Sequence, residues 1–293
     1  MLLPQFIRES IEKLQALYPL DEARSLVLRL CGEVLGTQSY THIVEPEYQI
    51  PGADLARLTG AVSRMACGEP LQYITGVQEF CGRRFRVTPD VLIPRPETEE
   101  LAATALARLA PGSKPRVLDL FTGSGCIAWT IALERPGSEV TGIDVSAPAL
   151  AVARSQAFSI MGDGQVYGKN SPVFLQQDIL ELPEMLQGAP FDIITANPPY
   201  IRESEKSAMQ RNVLDYEPGL ALFVPDEDPL LFYRATARWA RRFLAPGAWG
   251  IAEINEALGE DTAALFRDSG LEEVEIRRDM FGKDRFISFR KAA

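Results

Sequence analysis

The sequence predicts an α/β chain: a doubly wound, mostly parallel sheet with an antiparallel last strand pair, preceded by a small helical bundle. Three observations predict it. From Arg116 onward, short apolar runs alternate with helical stretches, the pattern of βαβ units. Over about the first 70 residues, apolar positions recur at helical spacing instead. Between the two regimes, Val77–Phe80 and Phe85–Val87 read as short strands around a turn, Cys81 to Arg84. The expected organisation is a helical domain over residues 1–72, a β-hairpin linker over 73–92 and an α/β domain over 93–293.

In the first domain, Ile7, Ile11, Leu14 and Leu17 set one helical stripe. Ala23, Val27, Leu30 and Val34 set a second, and Leu55, Leu58, Val62 and Met65 a third. Pro19, Pro46, Pro51 and Gly68 separate them. This domain carries no catalytic constellation, so it reads either as a stabilising cap or as a docking surface for a macromolecular substrate. After the hairpin, Leu92 to Glu100 opens a helix marked by Leu101, Ala105 and Leu109. The acids Glu97 to Glu100 suit the positive end of its dipole. Arg95, held between Pro94 and Pro96, has no such explanation.

The α/β region then runs in order. Arg116 to Leu120 is a strand, followed by a helix from Cys126 to Glu134. Glu139 to Ile143 is a strand, followed by a helix from Ala147 to Ile160. Met161 to Gly168 reads as a loop. Strands come next at Pro172–Leu175 and Phe191–Ala196, then a helix around Pro229 to Leu244. A strand from Ala248 to Glu253, a helix from Ala257 to Asp268, and strands Glu272–Ile276 and Arg285–Phe289 complete the chain.

Composition excludes several classes of function. The net charge is −10 and the pI about 4.9, which argues against gripping nucleic acid through its phosphates. Four scattered cysteines and a single histidine supply no zinc ligand set, and read as thiols of a reducing cytoplasm. No apolar run is long enough to span a membrane, and the first residues show no signal-peptide pattern. A cytoplasmic protein that binds neither membrane nor nucleic acid is expected.

Two stretches carry chemistry. The loop Phe121, Thr122, Gly123, Ser124, Gly125 lies between a strand and a helix. Gly123, Gly125 and Ala128 fit G-x-G-x-x-A, and Asp144 comes about 20 residues on, where an acid can hold ribose hydroxyls. An adenosine-bearing cofactor is expected, either a dinucleotide or S-adenosylmethionine. Asp119, just before the glycines, would repel a pyrophosphate and attract the methionine ammonium. Asp178, beside Ile179, adds a third acid at a strand end, suited to the adenine amino group. The acids favour S-adenosyl-L-methionine.

The second stretch is Asn197-Pro198-Pro199-Tyr200, after an apolar strand. A proline turn is the plain reading of it. The chemical reading is a stiff acceptor cradle for a planar NH2 group. The Asn197 side chain and free carbonyls on fixed prolines would accept its hydrogens, and Tyr200 would add an aromatic face.

These stretches, taken in order, resemble the PrmC/HemK family of release-factor glutamine methyltransferases over nearly the full chain. The resemblance rests on Glu69-Pro70-Leu71-Gln72-Tyr73 with Gly76 and Glu79-Phe80, and on Leu92-Ile93-Pro94-Arg95-Pro96-Glu97-Thr98-Glu99. It rests also on Leu118-Asp119-Leu120 with Thr122 to Gly125, on Asn197 to Ile201, on Glu217-Pro218 with Ala221-Leu222, and on Asp279 with Asp284-Arg285. The Asn-Pro-Pro-Tyr stretch alone is shared with DNA adenine methyltransferases, which leaves that activity as the alternative. The Pro-Arg-Pro-Glu-Thr-Glu stretch is far more specific. One departure is Phe121, where the family usually has glycine.

The resemblance implies methylation of the side-chain amide nitrogen of the glutamine in the Gly-Gly-Gln motif of class I peptide-chain release factors. Asn197, Pro198, Pro199 and Tyr200 would act on that amide. Arg95, Glu97 and Thr98 would help to close the substrate site.

Overall fold

The computed structural model describes residues 1–158, 161–162, 165–166 and 171–293. The chain forms two compact units. One comprises Met1–Val77 with Met209–Tyr216, the other Gln78–Ala208 with Glu217–Ala293. The first compact unit therefore runs past residue 72 and takes in a segment from far along the chain.

In the first unit, helices Leu3–Leu14, Leu20–Leu35 and Gly52–Ala66 are joined by two short ones, Thr41–Val44 and Leu71–Thr75. Their apolar stripes meet: Leu3, Phe6, Ile7 and Leu14 pack in one cluster with Ala23, Val27, Leu30, Leu58, Val62 and Met65. Gly36, at φ 71°, ends the second helix in the left-handed conformation that favours glycine. The late segment adds a helix, Arg211–Tyr216, and the Tyr216 hydroxyl donates to the Cys67 carbonyl at 3.0 Å. Nothing in the local sequence of that segment announces its distant partner.

The hairpin strands are Val77–Phe80 and Arg83–Arg86. The turn between them is tighter than the sequence predicts, because Cys81 and Gly82 both adopt positive φ, 48° and 68°. Among the described residues, the main sheet of the second unit has seven strands, numbered along the chain: β1 Arg116–Leu120, β2 Glu139–Asp144, β3 Val173–Gln176, β4 Phe191–Ala196, β5 Leu244–Glu253, β6 Leu271–Arg278 and β7 Asp284–Lys291. Their spatial order is β6-β7-β5-β4-β1-β2-β3. Strands β1 to β5 pair in parallel, and β7 runs antiparallel to both β5 and β6.

Successive residues on a strand face opposite sides, and both sides are apolar, as a sheet covered on both faces requires. Val117, Ile193 and Ile251 join one core with helices Pro96–Arg108 and Cys126–Glu134. Leu118, Ile194 and Ala252 join the other with helices Leu231–Phe243 and Gly259–Asp268. The helix expected to reach Ile160 is formed over Ala147–Arg154. Residues 159–160 lie outside those described. Of the expected loop at 161–168, Met161–Gly162 pairs antiparallel with Gln165–Val166, and the remainder is also outside the described residues.

Two glycines let aromatic rings lie flat across the sheet. Gly250 on β5 is the register partner of Phe289 on β7, and a Cβ at Gly250 would stand 2.1 Å from that ring. Gly142 on β2 partners Phe174 on β3, where a Cβ would stand 2.7 Å from the ring. In both pairs the neighbouring strand's aromatic covers the backbone that glycine leaves bare. Gly250→Ala must therefore displace Phe289 from the core. It should destabilise the protein by about 1–3 kcal/mol in urea unfolding; an unchanged midpoint would show that the ring is free to move.

Between β1 and β4 lies a buried polar tie. Asp119 Oδ1 accepts the Thr195 hydroxyl at 2.7 Å, and Oδ2 accepts the Thr122 hydroxyl at 2.6 Å. Burial pushes the Asp119 carboxyl up to about 6, against the hydrogen bonds that oppose the rise. A carboxyl that ionises less readily folded than unfolded binds its proton more tightly in the native state. Its contribution is full below the unfolded value, near 4, and is lost as pH rises through about 6. Asp119→Asn removes this dependence. Its stability relative to the natural chain should improve by up to roughly 3 kcal/mol between pH 4 and pH 7. Urea unfolding at several pH values checks this, and a pH-independent difference would refute it.

Candidate functional site

Strands β2 and β3 lie to one side of β1, and β4 and β5 to the other. The chain order therefore reverses between β1 and β4, the place where an open α/β sheet leaves a crevice beyond its strand ends. A cleft enclosing about 950 Å³, open mouth included, lies among the segments that leave these strands. Phe121, Thr122, Gly123 and Ser124 after β1 line it, as do Asp144, Val145 and Ser146 at β2 and Asp178 and Ile179 after β3. Asn197 and Pro199 after β4 line it too, with Thr98 from the helix Pro96–Arg108. Most of the residues singled out in the sequence thus converge on one cavity.

The glycine loop is held from several directions. The Thr122 N–H donates to the Ile143 carbonyl at 2.9 Å, and the Gly123 N–H to Asp144 Oδ2 at 2.9 Å. Asp144 Oδ1 accepts the Ser146 N–H at 2.9 Å, so each carboxylate oxygen is anchored and keeps acceptor capacity toward the cleft. Burial raises the Asp144 carboxyl, and its backbone hydrogen bonds counter the rise. Asp178 Oδ1 accepts the Leu180 N–H at 2.8 Å.

Gly125 does not line the cleft. It caps the helix Cys126–Glu134 at φ 77°, and a Cβ there would meet Phe174 at 3.0 Å and Ala153 and Trp129 at 3.1 Å. Phe121, where glycine was expected from the resemblance, has φ 58°. The loop thus keeps a backbone suited to glycine while carrying a side chain, and that ring packs edge-on against Phe232, centroids 5.6 Å apart, along the cleft.

Asp119 departs from its expected place facing the ligand. It is fully buried, is not among the cleft-lining residues, and spends both oxygens on threonine hydroxyls. Through Thr122 it braces the loop that does line the cleft.

Asn197 leads into a second polar chain. Its Nδ2 donates to Thr98 Oγ1 at 3.2 Å. The Thr98 hydroxyl donates to Glu253 Oε2 at 2.9 Å, and the Tyr200 hydroxyl donates to Glu253 Oε1 at 2.8 Å. Glu253, at the end of β5, and Thr98 are both buried. Burial raises the Glu253 carboxyl, opposed by the two hydroxyls and by Arg285. Burial, and next to it the Glu253 carboxylate, raises the Tyr200 phenol well above its ordinary value. Neither Pro198 nor Tyr200 is among the residues lining the cleft, and the Tyr200 hydroxyl is turned toward Glu253. The Tyr200 carbonyl accepts Asn255 Nδ2 at 3.0 Å, which fixes the chain just after the prolines.

Arg95 and Glu97 are also absent from the lining. Arg95 pairs with the buried carboxylate of Glu217, whose other oxygen accepts the Ile93 N–H at 3.1 Å. This tie fastens Leu92 and Pro94 to the segment of Pro218, Leu220 and Ala221, all of which line the cleft. It also supplies the explanation that Arg95 lacks in the sequence. Glu97 is half-buried in the first helical turn, its charge acting on Glu253.

Sequence reasoning missed Glu253, Thr195, Phe232 and the lining by Asp90, Val91 and Leu92. For Glu253 a signal existed: it is an acid closing an apolar strand, the same kind of position that singled out Asp119. Phe232 had no local signal, since it lies on a helix remote from every motif.

Comparison with known proteins shows the family. Residues 5–76 match a family model described as the PrmC N-terminal domain, and residues 111–223 one described as a methyltransferase domain. A release factor glutamine methyltransferase of Bacteroides thetaiotaomicron is 41% identical over 97% of each chain. That of Flavobacterium psychrophilum is 33% identical over 98% of each. Among solved structures, the protein-(glutamine-N5) methyltransferase (release factor-specific) of Alicyclobacillus acidocaldarius is 31% identical, with 71% of this chain and all of that one covered and a TM-score of 0.42. With the Bacteroides and Flavobacterium enzymes this similar over nearly its whole length, the chain belongs to the release factor glutamine methyltransferase family.

Proposed function

We propose that the protein transfers a methyl group from S-adenosylmethionine to the side-chain amide nitrogen of the Gly-Gly-Gln glutamine in class I release factors. The observation that carries the reading is the convergence of the glycine loop, Asp144, Asp178 and Asn197 on one cleft. The donor set fits the cofactor. Asp144 offers anchored carboxylate oxygens to ribose hydroxyls, Asp178 an acceptor to the adenine amino group, and Ile179 and Phe121 apolar surface. When bound, S-adenosylmethionine supplies an electrophilic methyl on a positively charged sulfur.

The residues of the chain do the rest by orientation. An amide nitrogen is a weak nucleophile because its lone pair is delocalised. In this reading Asn197 Oδ1 and the Pro198 carbonyl would accept hydrogen bonds from its two N–H groups and hold the nitrogen in line for transfer, and one of those protons leaves to water as the amide is methylated. Catalysis is then mainly positioning and electrostatics. Pro199 stiffens the cradle, and Tyr200 serves from behind it rather than over the substrate. Arg95 holds the cleft-lining segments together, while Glu97 and Thr98 support the helix end beside Asn197. Asp119 acts through Thr122.

Methylation of adenine in DNA is the alternative that shares the Asn-Pro-Pro-Tyr stretch. The net charge of −10 and the family's naming favour the protein substrate. Action on translation factors implies a cytoplasmic enzyme. No helix among the described residues is long and apolar enough to cross a membrane.

Mass spectrometry of a release factor incubated with the protein and S-adenosylmethionine should show a gain of one methyl on the Gly-Gly-Gln glutamine. Asn197→Ala should keep cofactor affinity within a few-fold and lose nearly all turnover. A methylated product from this variant at the natural rate would remove Asn197 from the mechanism.

The helical domain is proposed to supply specificity, since a tripeptide offers little area to recognise. Ile43 and Val44, adjacent on the helix Thr41–Val44, are 64% and 63% exposed, and Tyr40 beside them is 57% exposed. Apolar side chains grouped in this way suit a protein partner. Replacing Ile43 and Val44 by glutamate should raise KM for intact release factor about tenfold or more, leaving cofactor binding unchanged. An unaltered KM would return this patch to the reading of a stabilising cap.

A further inference from the structure

We propose that Glu253 is a positioning residue which, acting through Thr98, decides which way the Asn197 carboxamide points. The inference deepens the reading above, since it rests on Asn197 Oδ1 being the group offered to the substrate amide.

A carboxamide has an oxygen end that accepts and a nitrogen end that donates, of nearly the same size. Turned the wrong way, Asn197 would present N–H groups to a substrate that itself presents N–H groups. Something must fix the orientation. The hydroxyl of Thr98 alone could not, because a free hydroxyl can donate to Oδ1 as well as accept from Nδ2.

Glu253 removes that freedom. As a carboxylate it can only accept, and its Oε2 lies 2.9 Å from Thr98 Oγ1. The Thr98 proton is thereby committed to Glu253, and toward Asn197 the hydroxyl can only accept. Asn197 must then bring its Nδ2 to Thr98, at 3.2 Å, and turn Oδ1 away from it. The second carboxylate oxygen is committed in the same sense, to the Tyr200 hydroxyl at 2.8 Å. Glu253 is not among the residues lining the cleft, so it acts through Thr98 rather than on the substrate. Further charges act on it: Arg285, which is paired with Asp279 at 3.1 Å, and Glu97 in the first turn of the helix Pro96–Arg108. Glu253 therefore has hydroxyl donors as its hydrogen-bond partners, which is the arrangement a directional relay needs.

Three variants test this. Thr98→Val keeps the shape and removes the relay. It should lower kcat by roughly 10- to 100-fold, with the dissociation constant of S-adenosylmethionine unchanged, and Thr98→Ser should recover most of the loss. Glu253→Gln keeps size but can donate as well as accept, and should lower kcat in the natural background and have no further effect in Thr98→Val. A second readout is the Asn197 side-chain amide in ¹H–¹⁵N spectra of the cofactor-free protein, assigned with Asn197→Ala. Its hydrogen-bonded proton should shift in Thr98→Val and in Glu253→Gln.

Unshifted amide signals in Thr98→Val, or equal and independent losses of kcat for Thr98→Val and Glu253→Gln, would overturn the proposal. A natural chain that fails to methylate release factor would refute the functional reading instead, and the amide signals would still decide the orientation.

Discussion

The parallel pairing of β1 with β4 is the constraint on which the site depends. The two strands are in register from Val117↔Ile193 to Leu120↔Ala196. The segments that leave the sheet after Leu120 and after Ala196 must therefore emerge side by side. The first is the glycine loop and the second begins with Asn197. Residues 76 apart in sequence, Asp119 and Thr195, are register partners and are hydrogen-bonded across the pair. A slip of one residue would turn each side chain to the other face of the sheet and separate the loop from the asparagine. Apolar burial on both faces sets this register, and the carboxylate tie adds a directional bond that an apolar strand pair lacks.

Beneath the cleft the same device appears twice. Asp119 joins Thr122 and Thr195, and Glu253 joins Thr98 and Tyr200. In each case a buried acid accepts from two hydroxyls carried on different segments. A buried carboxylate with no donors would be very costly, and one facing an arginine would be bound chiefly by charge. Hydroxyl donors satisfy the oxygens with fixed directions and without a hydrogen-bonded counter-ion. The raised carboxyl of Asp119 is the thermodynamic mark of that choice: the strand pair gives up some stability near neutral pH for a defined geometry at the site. Arg95 with Glu217 is the contrasting case, a charged tie used where two surface-reaching segments must be fastened together.

Much of this was legible in the sequence because its signals are local. The alternation of elements, the Gly123 and Gly125 loop, Asp144 and Asp178 at strand ends and Asn197 after an apolar run all show within a few residues. What the sequence could not show is where long side chains go. Asp119 and Tyr200 have the composition of ligand contacts, yet one Asp119 oxygen is taken by Thr195, 76 residues away, the other by Thr122, and the Tyr200 hydroxyl by Glu253, 53 residues away. Arg95 reads as a substrate contact until Glu217, 122 residues on, is placed beside it. The capture of Met209–Tyr216 by the helical unit is equally non-local. Local pattern identifies which segments form the cleft, and tertiary contacts decide which of their side chains reach it.

Phe121 shows how firmly the cleft imposes its backbone. A phenylalanine at φ 58° costs about 1–3 kcal/mol relative to an ordinary conformation. The conformation persists because the residues after it leave no alternative. Thr122 is bound through its N–H to Ile143 and through its hydroxyl to Asp119, and Gly123 is bound to Asp144. With the chain fixed on that side, Phe121 must accept the turn or break the loop. Its ring then recovers part of the cost by packing against Phe232. The preference for glycine at this position is thus a property of the turn. Phenylalanine is tolerated because the turn is held by its neighbours, and it brings to the cleft an aromatic wall that glycine would not supply.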